Sequence, residues 1–342
     1  MAGARLKKAA VWSLRLGLGL GLWLWLFCLC DAEEFKHIWH TLSWRPLALA
    51  TACSIGGVCF SAWPWRLLLK PLQLNIPWKQ AVSLSTMGFS VNNLVPGGLG
   101  GDALRAWIVG KSCGNLEKAI ATVLLDRWLS FVCLMSMAYA CIACKWRALV
   151  AVDLGSAMVG VLLVLAAMLL VSLLLFAGHL PLSRKLLGRF TLGVPVLKLS
   201  EIMWSYSRRL RLMALCYLLT LSTPFLDAWV FYLISQSLQL QQPFWVYLLM
   251  VPVMRVIHHI PVSVNAVGTQ DAACAFYLGA FGVGLPQALT ISMAMHLIKL
   301  SVAAICGGTY LLTAQSLAQV AAIDLEAQNA LKASQNIVTE RQ

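Results

Sequence analysis

Charge is scarce in this sequence. Only 11% of its 342 residues are Asp, Glu, Lys or Arg, where about 25% is usual for a soluble domain. Acidic residues are scarcer still, 13 against 26 basic ones, and apolar residues make up 60% of the chain. A soluble fold of this length does not need repeated apolar runs of bilayer length, about 20 residues each. Such runs lie at 10–30, 46–64, 119–144, 152–177, 212–237 and 288–313. Water-soluble folds are excluded, and the chain reads as an all-α, polytopic transmembrane helical bundle.

Missing motifs exclude more. There is no Walker loop, no Ser–His–Asp ordering and no metal-ligand signature, so an ATP-driven pump is ruled out for this chain alone and no cofactor or metal is expected. Of the eleven cysteines, Cys53, Cys59, Cys133, Cys216, Cys274 and Cys306 fall within apolar runs, where a free thiol behaves as a small hydrophobe. Cys141-x-x-Cys144 has no second pair and no nearby His to make a zinc or redox site. Long loops are also lacking: only 178–211 and the tail 314–342 hold anything extra, and neither could house a soluble catalytic domain. The first run has no small-residue cleavage site behind it and reads as a retained span rather than a signal peptide.

What charge there is has a pattern. Arg5, Lys7, Lys8 and Arg15 precede or open the first run, Arg66, Lys70 and Lys79 follow the second, and Arg184, Lys185, Arg189, Lys198, Arg208, Arg209 and Arg211 crowd the longest loop. Asp31, Glu33 and Glu34 lie on the other side. This positive-inside asymmetry places both termini in the cytoplasm of a bacterial inner-membrane type of protein. The net charge of +13 therefore reports topology and attraction to anionic headgroups; with no nucleic-acid motif beside it, nucleic acid is not an expected partner. Trp44, Trp63, Trp65 and Trp146 read as interface markers. Val196, Leu199, Ile202 and Met203 recur at helical spacing, predicting a cytoplasmic interfacial helix over about 184–208.

Two regions do not read as simple spans. Residues 80–112 are broken at Asn92-Asn93-Leu94-Val95-Pro96-Gly97-Gly98-Leu99-Gly100-Gly101-Asp102, and 244–284 at His258-His259-Ile260-Pro261 through Gly268-Thr269-Gln270-Asp271. Pro and clustered Gly stop a helix, and the freed backbone groups cannot face lipid. Each region is expected to be a re-entrant or broken-helix hairpin. Asp102-Ala103-x-x-Ala106-Trp107-x-x-Gly110 matches Asp271-Ala272-x-x-Ala275-Phe276-x-x-Gly279 at an offset of 169 residues, which also sets Arg127 against His296. With the span directions, this predicts inverted-topology repeats over about 46–144 and 212–313, within one transmembrane domain at 1–313 followed by a cytoplasmic tail at 314–342.

Ionisable groups within such segments usually face a polar interior or a partner. Gly100 and Gly101 would let backbone approach a ligand. Asp102 is a candidate N-cap and partner of Arg105, while Arg105 offers a fork suited to a phosphate diester. Asn93 stands at the same break. Arg255, His258 and His259 share a helix face before the second break, and anion contact is favoured there over metal because no third ligand is evident. Asp126-Arg127, Asp227, His296 and Lys299 are the remaining intramembrane charges, with an Asp227–Lys299 ion pair or a proton relay through Asp227 or His296 both open.

The stretch from Asn92 to Arg105 resembles the signature of the lysylphosphatidylglycerol synthase transmembrane-region family, also called flippase-like. Leu124-Leu125-Asp126-Arg127 is similar to that family's acid–Arg pair, and Pro261 to Asp271 to its second signature. There Gln270 stands where the family has Arg and Asp271 where it has Glu, so a headgroup contact by that Arg does not transfer. The resemblance implies movement of a phospholipid or polyprenyl-linked lipid between leaflets, with a lipid synthase or glycosyltransferase as a possible partner. It implies the membrane half of the aminoacyl-phospholipid synthases, without their soluble acyltransferase-like domain. The expected substrate-binding set is Asn93, Gly100, Gly101, Asp102, Arg105, Arg127, Arg255, His258 and Asp271. A membrane-embedded lipid-modifying enzyme and a lipid-binding scaffold subunit remain the alternatives.

Overall fold

The computed structural model describes residues 17, 21–26, 28–29, 32–94, 100–176, 199, 201–259 and 266–310, and among these no strand occurs. A short amphipathic helix, α1 (Ala32–Thr41), leads into α2 (Trp44–Phe60) and α3 (Ala62–Leu69). With the 3-10 turn at Lys70–Leu72, these two make a nearly continuous 29-residue apolar helix. Then come α4 (Trp78–Leu94), α5 (Gly100–Ser112), α6 (Leu116–Ala151) and α7 (Gly155–Phe176). The second half runs α8 (Leu210–Ser237), α9 (Phe244–His259), α10 (Thr269–Ala280) and α11 (Leu285–Tyr310).

Among the described residues, four helices are long and apolar enough to cross a bilayer: Trp44–Leu72, Leu116–Ala151, Leu210–Ser237 and Leu285–Tyr310. At 1.5 Å per residue, even the shortest of them extends about 39 Å. The 36 residues of α6 contain a kink at Lys145 (φ −118°, ψ 17°), so its last turns leave the axis of the first part. The expected run at 10–30 lies largely outside the described residues. So do both turns of the broken regions (95–99 and 260–265), most of the expected interfacial helix at 184–208, and the tail. The flanking helices α4–α5 and α9–α10 form where the apolar run on each side of the Gly/Pro break predicts them.

The two halves share a rhythm. α5 and α6 begin at Gly100 and Leu116, and α10 and α11 begin at Thr269 and Leu285, each 169 residues later. Packing between the halves follows the same exchange. α6 packs on α9, and the mates of those two helices, α11 and α4, also touch: Ser90 Oγ donates to the Ala303 carbonyl at 2.7 Å. α8 packs along α2, its own mate. A large apolar core joins α8, α9, α10, α11 and α6, and a smaller one joins α3, α4, α5 and α6. Tyr206, in a 3-10 turn before α8, donates to the Leu68 carbonyl, and burial pushes its phenol up, keeping it a donor.

The tryptophans divide. Trp44, Trp63 and Trp146 are exposed as interface residues should be, but Trp65 is fully buried. Its ring lies under the Arg105 guanidinium, 4.7 Å from centroid to Cζ, so it packs in the protein interior and marks no interface.

Candidate functional site

Three polar centres sit within the helical bundle, and each forms where neighbouring helices of one half meet. The first joins α5 to α6. Asp126 and Arg127 lie about 15 Å along α6 from its start. Arg127 grips Asp102 with two bonds, Nε–Oδ2 and Nη2–Oδ1, both 2.6 Å. Arg105 Nη2 donates to Asp126 Oδ2 at 2.7 Å, and its Nε lies 3.3 Å from Asp102 Oδ1. Two carboxylates and two guanidiniums therefore neutralise one another. Arg105 is only 5% exposed, closed in by both acids and by the Trp65 face.

This corrects two expectations. Asp102 lies inside the first turn of α5, not at its cap; Asn92 Oδ1 accepts the Gly101 N–H instead, at 2.7 Å. Arg105 is enclosed, so in this conformation its fork is committed to carboxylates and not open to a phosphate. The glycine requirement at Gly101 comes from the neighbouring helix: a Cβ there would stand 1.9 Å from the Gly88 carbonyl oxygen. Gly100 opens the helix, and Asn93 donates to the Phe89 carbonyl of its own helix at 2.8 Å.

Arg127 is the accessible member of the group, its side chain 48% exposed.

The second centre joins α10 to α11. Asp271, buried completely, accepts the Gly268 N–H at 2.8 Å, the Ser292 hydroxyl, and His296 Nε2 at 3.2 Å. The carboxylate thus closes the first turn of α10 and ties it to α11. Asp271–His296 repeats the Asp102–Arg127 pairing at the same spacing. The Arg105–Asp126 pair has no such counterpart, because Cys274 and Met295 occupy the matching positions.

The third centre is formed by α8, α9 and α11. Asp227 pairs with Arg255, Oδ2 to Nη2 at 2.5 Å, and the two side chains are 32% and 44% exposed. A pair between Asp227 and Lys299 is one of the two readings the sequence leaves open. Arg255 takes that position because it reaches from the neighbouring α9 with a longer, forked donor, while Lys299 lies close enough to feel both charges. His258, half-buried, follows one turn after Arg255 on the same face.

Asp126, Trp65, Asn92 and Ser292 complete these centres and were not in the expected set. Two had a usable signal: Asp126 follows Arg105 by the same 21 residues that separate Ser292 from Asp271. Nothing local marked Trp65 as part of the site, and Asn92 stood out only as the start of the break and of the family signature. Among the described residues, no group of three His, Cys, Asp or Glu side chains is placed to hold a metal ion.

Chemically, the first two centres brace helices, whereas Arg127 and the Asp227–Arg255 pair keep part of their charge exposed. The family model for the lysylphosphatidylglycerol synthase TM region matches residues 12–307. The chain belongs to that family. It is accordingly a multi-pass membrane protein, a membrane domain of the lipid-related kind that defines the lysylphosphatidylglycerol synthase TM region. No curated protein and no solved structure matches it.

Proposed function

We propose that this chain is a lipid translocase of the inner membrane, moving a phosphate-bearing lipid or lipid-linked headgroup between leaflets. One observation carries the reading: Arg127, Asp227 and Arg255 keep between a third and a half of their side chains exposed at span depth. Charge in that position is sustained by a polar cavity, since hydrocarbon cannot solvate it. Lowering the cost of bringing a charged headgroup through that cavity is all the catalysis such a protein requires. The lipid tails stay in the bilayer while the headgroup follows the charged groups.

In this reading the two halves are inverted repeats, both termini are cytoplasmic, and residues 1–313 act as one transmembrane domain. Arg127, Arg255 and His258 line the route. Asp102, Arg105 and Asp271 position the hairpins around it, with Asn93, Gly100 and Gly101 shaping the first one. A lipid synthase or glycosyltransferase that supplies the lipid is the natural partner.

The test is a leaflet-accessibility assay in vesicles containing the purified protein and headgroup-labelled phosphatidylglycerol. Translocation predicts that label in the protected leaflet becomes reachable faster than in protein-free vesicles, with the lipid chemically unchanged by mass spectrometry. A converted lipid would instead establish the enzyme reading. Unchanged lipid with no gain in rate would leave the scaffold.

A further inference from the structure

Lys299 is out of keeping with the helix that carries it. It stands about 21 Å along α11, near the middle of a 26-residue apolar span. Among the described residues its ammonium has no ion-pair or hydrogen-bond partner. The acid whose charge reaches it, Asp227, is already taken by Arg255 at 2.5 Å. Two cations thus share one carboxylate, in contrast to the two acids and two arginines that cancel around Arg105. A chain retains an ammonium at the bilayer midplane where it meets a polar interior or a partner. Among the described residues Lys299 has no such partner, and Arg255 and Lys299 together outnumber Asp227 by one positive charge.

We propose that Lys299 and Arg255 form an anion site for the phosphate of a lipid headgroup, an assignment that rests on the translocase reading above. A phosphate diester carries one negative charge, which matches that excess. Arg255 offers a planar fork and Lys299 a point charge, the two complementary ways of holding phosphate oxygens. Asp227 keeps the fork oriented and limits the attraction, so that the headgroup can leave as well as enter. Ser292, His296 and Lys299 lie along one edge of α11 at i, i+4 and i+7. Lys299 therefore stands about 4.5 Å along the helix from His296 and about 10 Å from Ser292 of the Asp271 cluster, and His258 lies one turn from Arg255.

Calorimetric titration of the purified protein with dihexanoyl phosphatidylglycerol, glycerol phosphate and dihexanoyl phosphatidylcholine tests this. Wild type should prefer phosphatidylglycerol to the zwitterionic lipid. Lys299→Gln should weaken phosphatidylglycerol binding about tenfold, the loss of one charge-assisted hydrogen bond, and Lys299→Arg should retain it. Thermal stability of Lys299→Gln should not fall, because Asp227 and Arg255 keep each other, so a folding defect is separable from lost binding. Unaltered phosphatidylglycerol binding in Lys299→Gln overturns the site. Glycerol phosphate binding as tightly as the lipid keeps the anion site and overturns its lipid occupant. Lys299-dependent binding without translocation in vesicles would sink the translocase reading alone; translocation indifferent to Lys299 would sink the site alone.

Discussion

Arg105 and Arg127 belong to one network but differ in what surrounds them. Arg105 is enclosed by Asp102, Asp126 and the Trp65 ring, while Arg127 has nearly half its side chain free of protein. Removing Arg105 strands a buried carboxylate, and such losses run to about 3–5 kcal/mol. Arg105→Gln should therefore lower the thermal unfolding midpoint in detergent markedly, and Arg127→Gln should lower it less. The matching positions in the second half are Cys274 and Met295, so the enclosed pair is replaceable by apolar side chains. The double variant Arg105→Met with Asp126→Leu should be more stable than either single variant; a double variant as unstable as the sum of both would refute that. The local motif gave Arg105 the look of a ligand residue because its spacing reports only what lies on its own helix. Trp65 and Asp126 decide its fate, and both come from other helices.

The helices themselves were legible because bilayer-length apolar runs and Gly/Pro breaks leave few choices. Leu210–Ser237 and Leu285–Tyr310 begin within three residues of the runs expected at 212–237 and 288–313. What the pattern could not convey is how tightly each hairpin closes. In α4–α5 the backbones meet at Gly88 and Gly101, and a Cβ on Gly101 has no room. At the matching positions in α9–α10 stand Ile257 and Gln270, so the second hairpin packs through side chains. Gly101→Ala should force α4 and α5 apart and abolish a stable fold, detected as loss of a monodisperse peak in size-exclusion chromatography. The repeat motif pairs Gly110 with Gly279, yet their surroundings differ. A Cβ at Gly110 would lie 2.7 Å from Leu116 Cα, whereas Gly279 has nothing within 4 Å. Gly110→Ala should destabilise, while Gly279→Ala should stabilise by about 0.5–1 kcal/mol through helix propensity. Equal effects in thermal unfolding would contradict the packing described.

At the scale of the whole molecule, exchanging the halves maps α6–α9 packing onto α4–α11 packing and α2–α8 onto itself. The offset of 169 residues was readable from the short Asp-Ala motif, since matched hairpins keep matched starts. The distribution of charge was not, because neutrality depends on which groups meet. Around Arg105 two acids and two arginines close on one another, whereas among the described residues Lys299 is left over beside a partly exposed pair. On the proposed translocase reading, the headgroup runs against the second half, with Arg127 on its path and α4–α5 as its wall. The most direct measurement is the rate at which headgroup-labelled phosphatidylglycerol changes leaflet in vesicles holding wild type or the Arg127→Gln, Arg255→Gln double variant, each checked for insertion and fold. The account predicts that wild type accelerates the exchange and that the double variant falls at least about tenfold towards the protein-free rate. A well-folded double variant that moves the lipid as fast as wild type would contradict it.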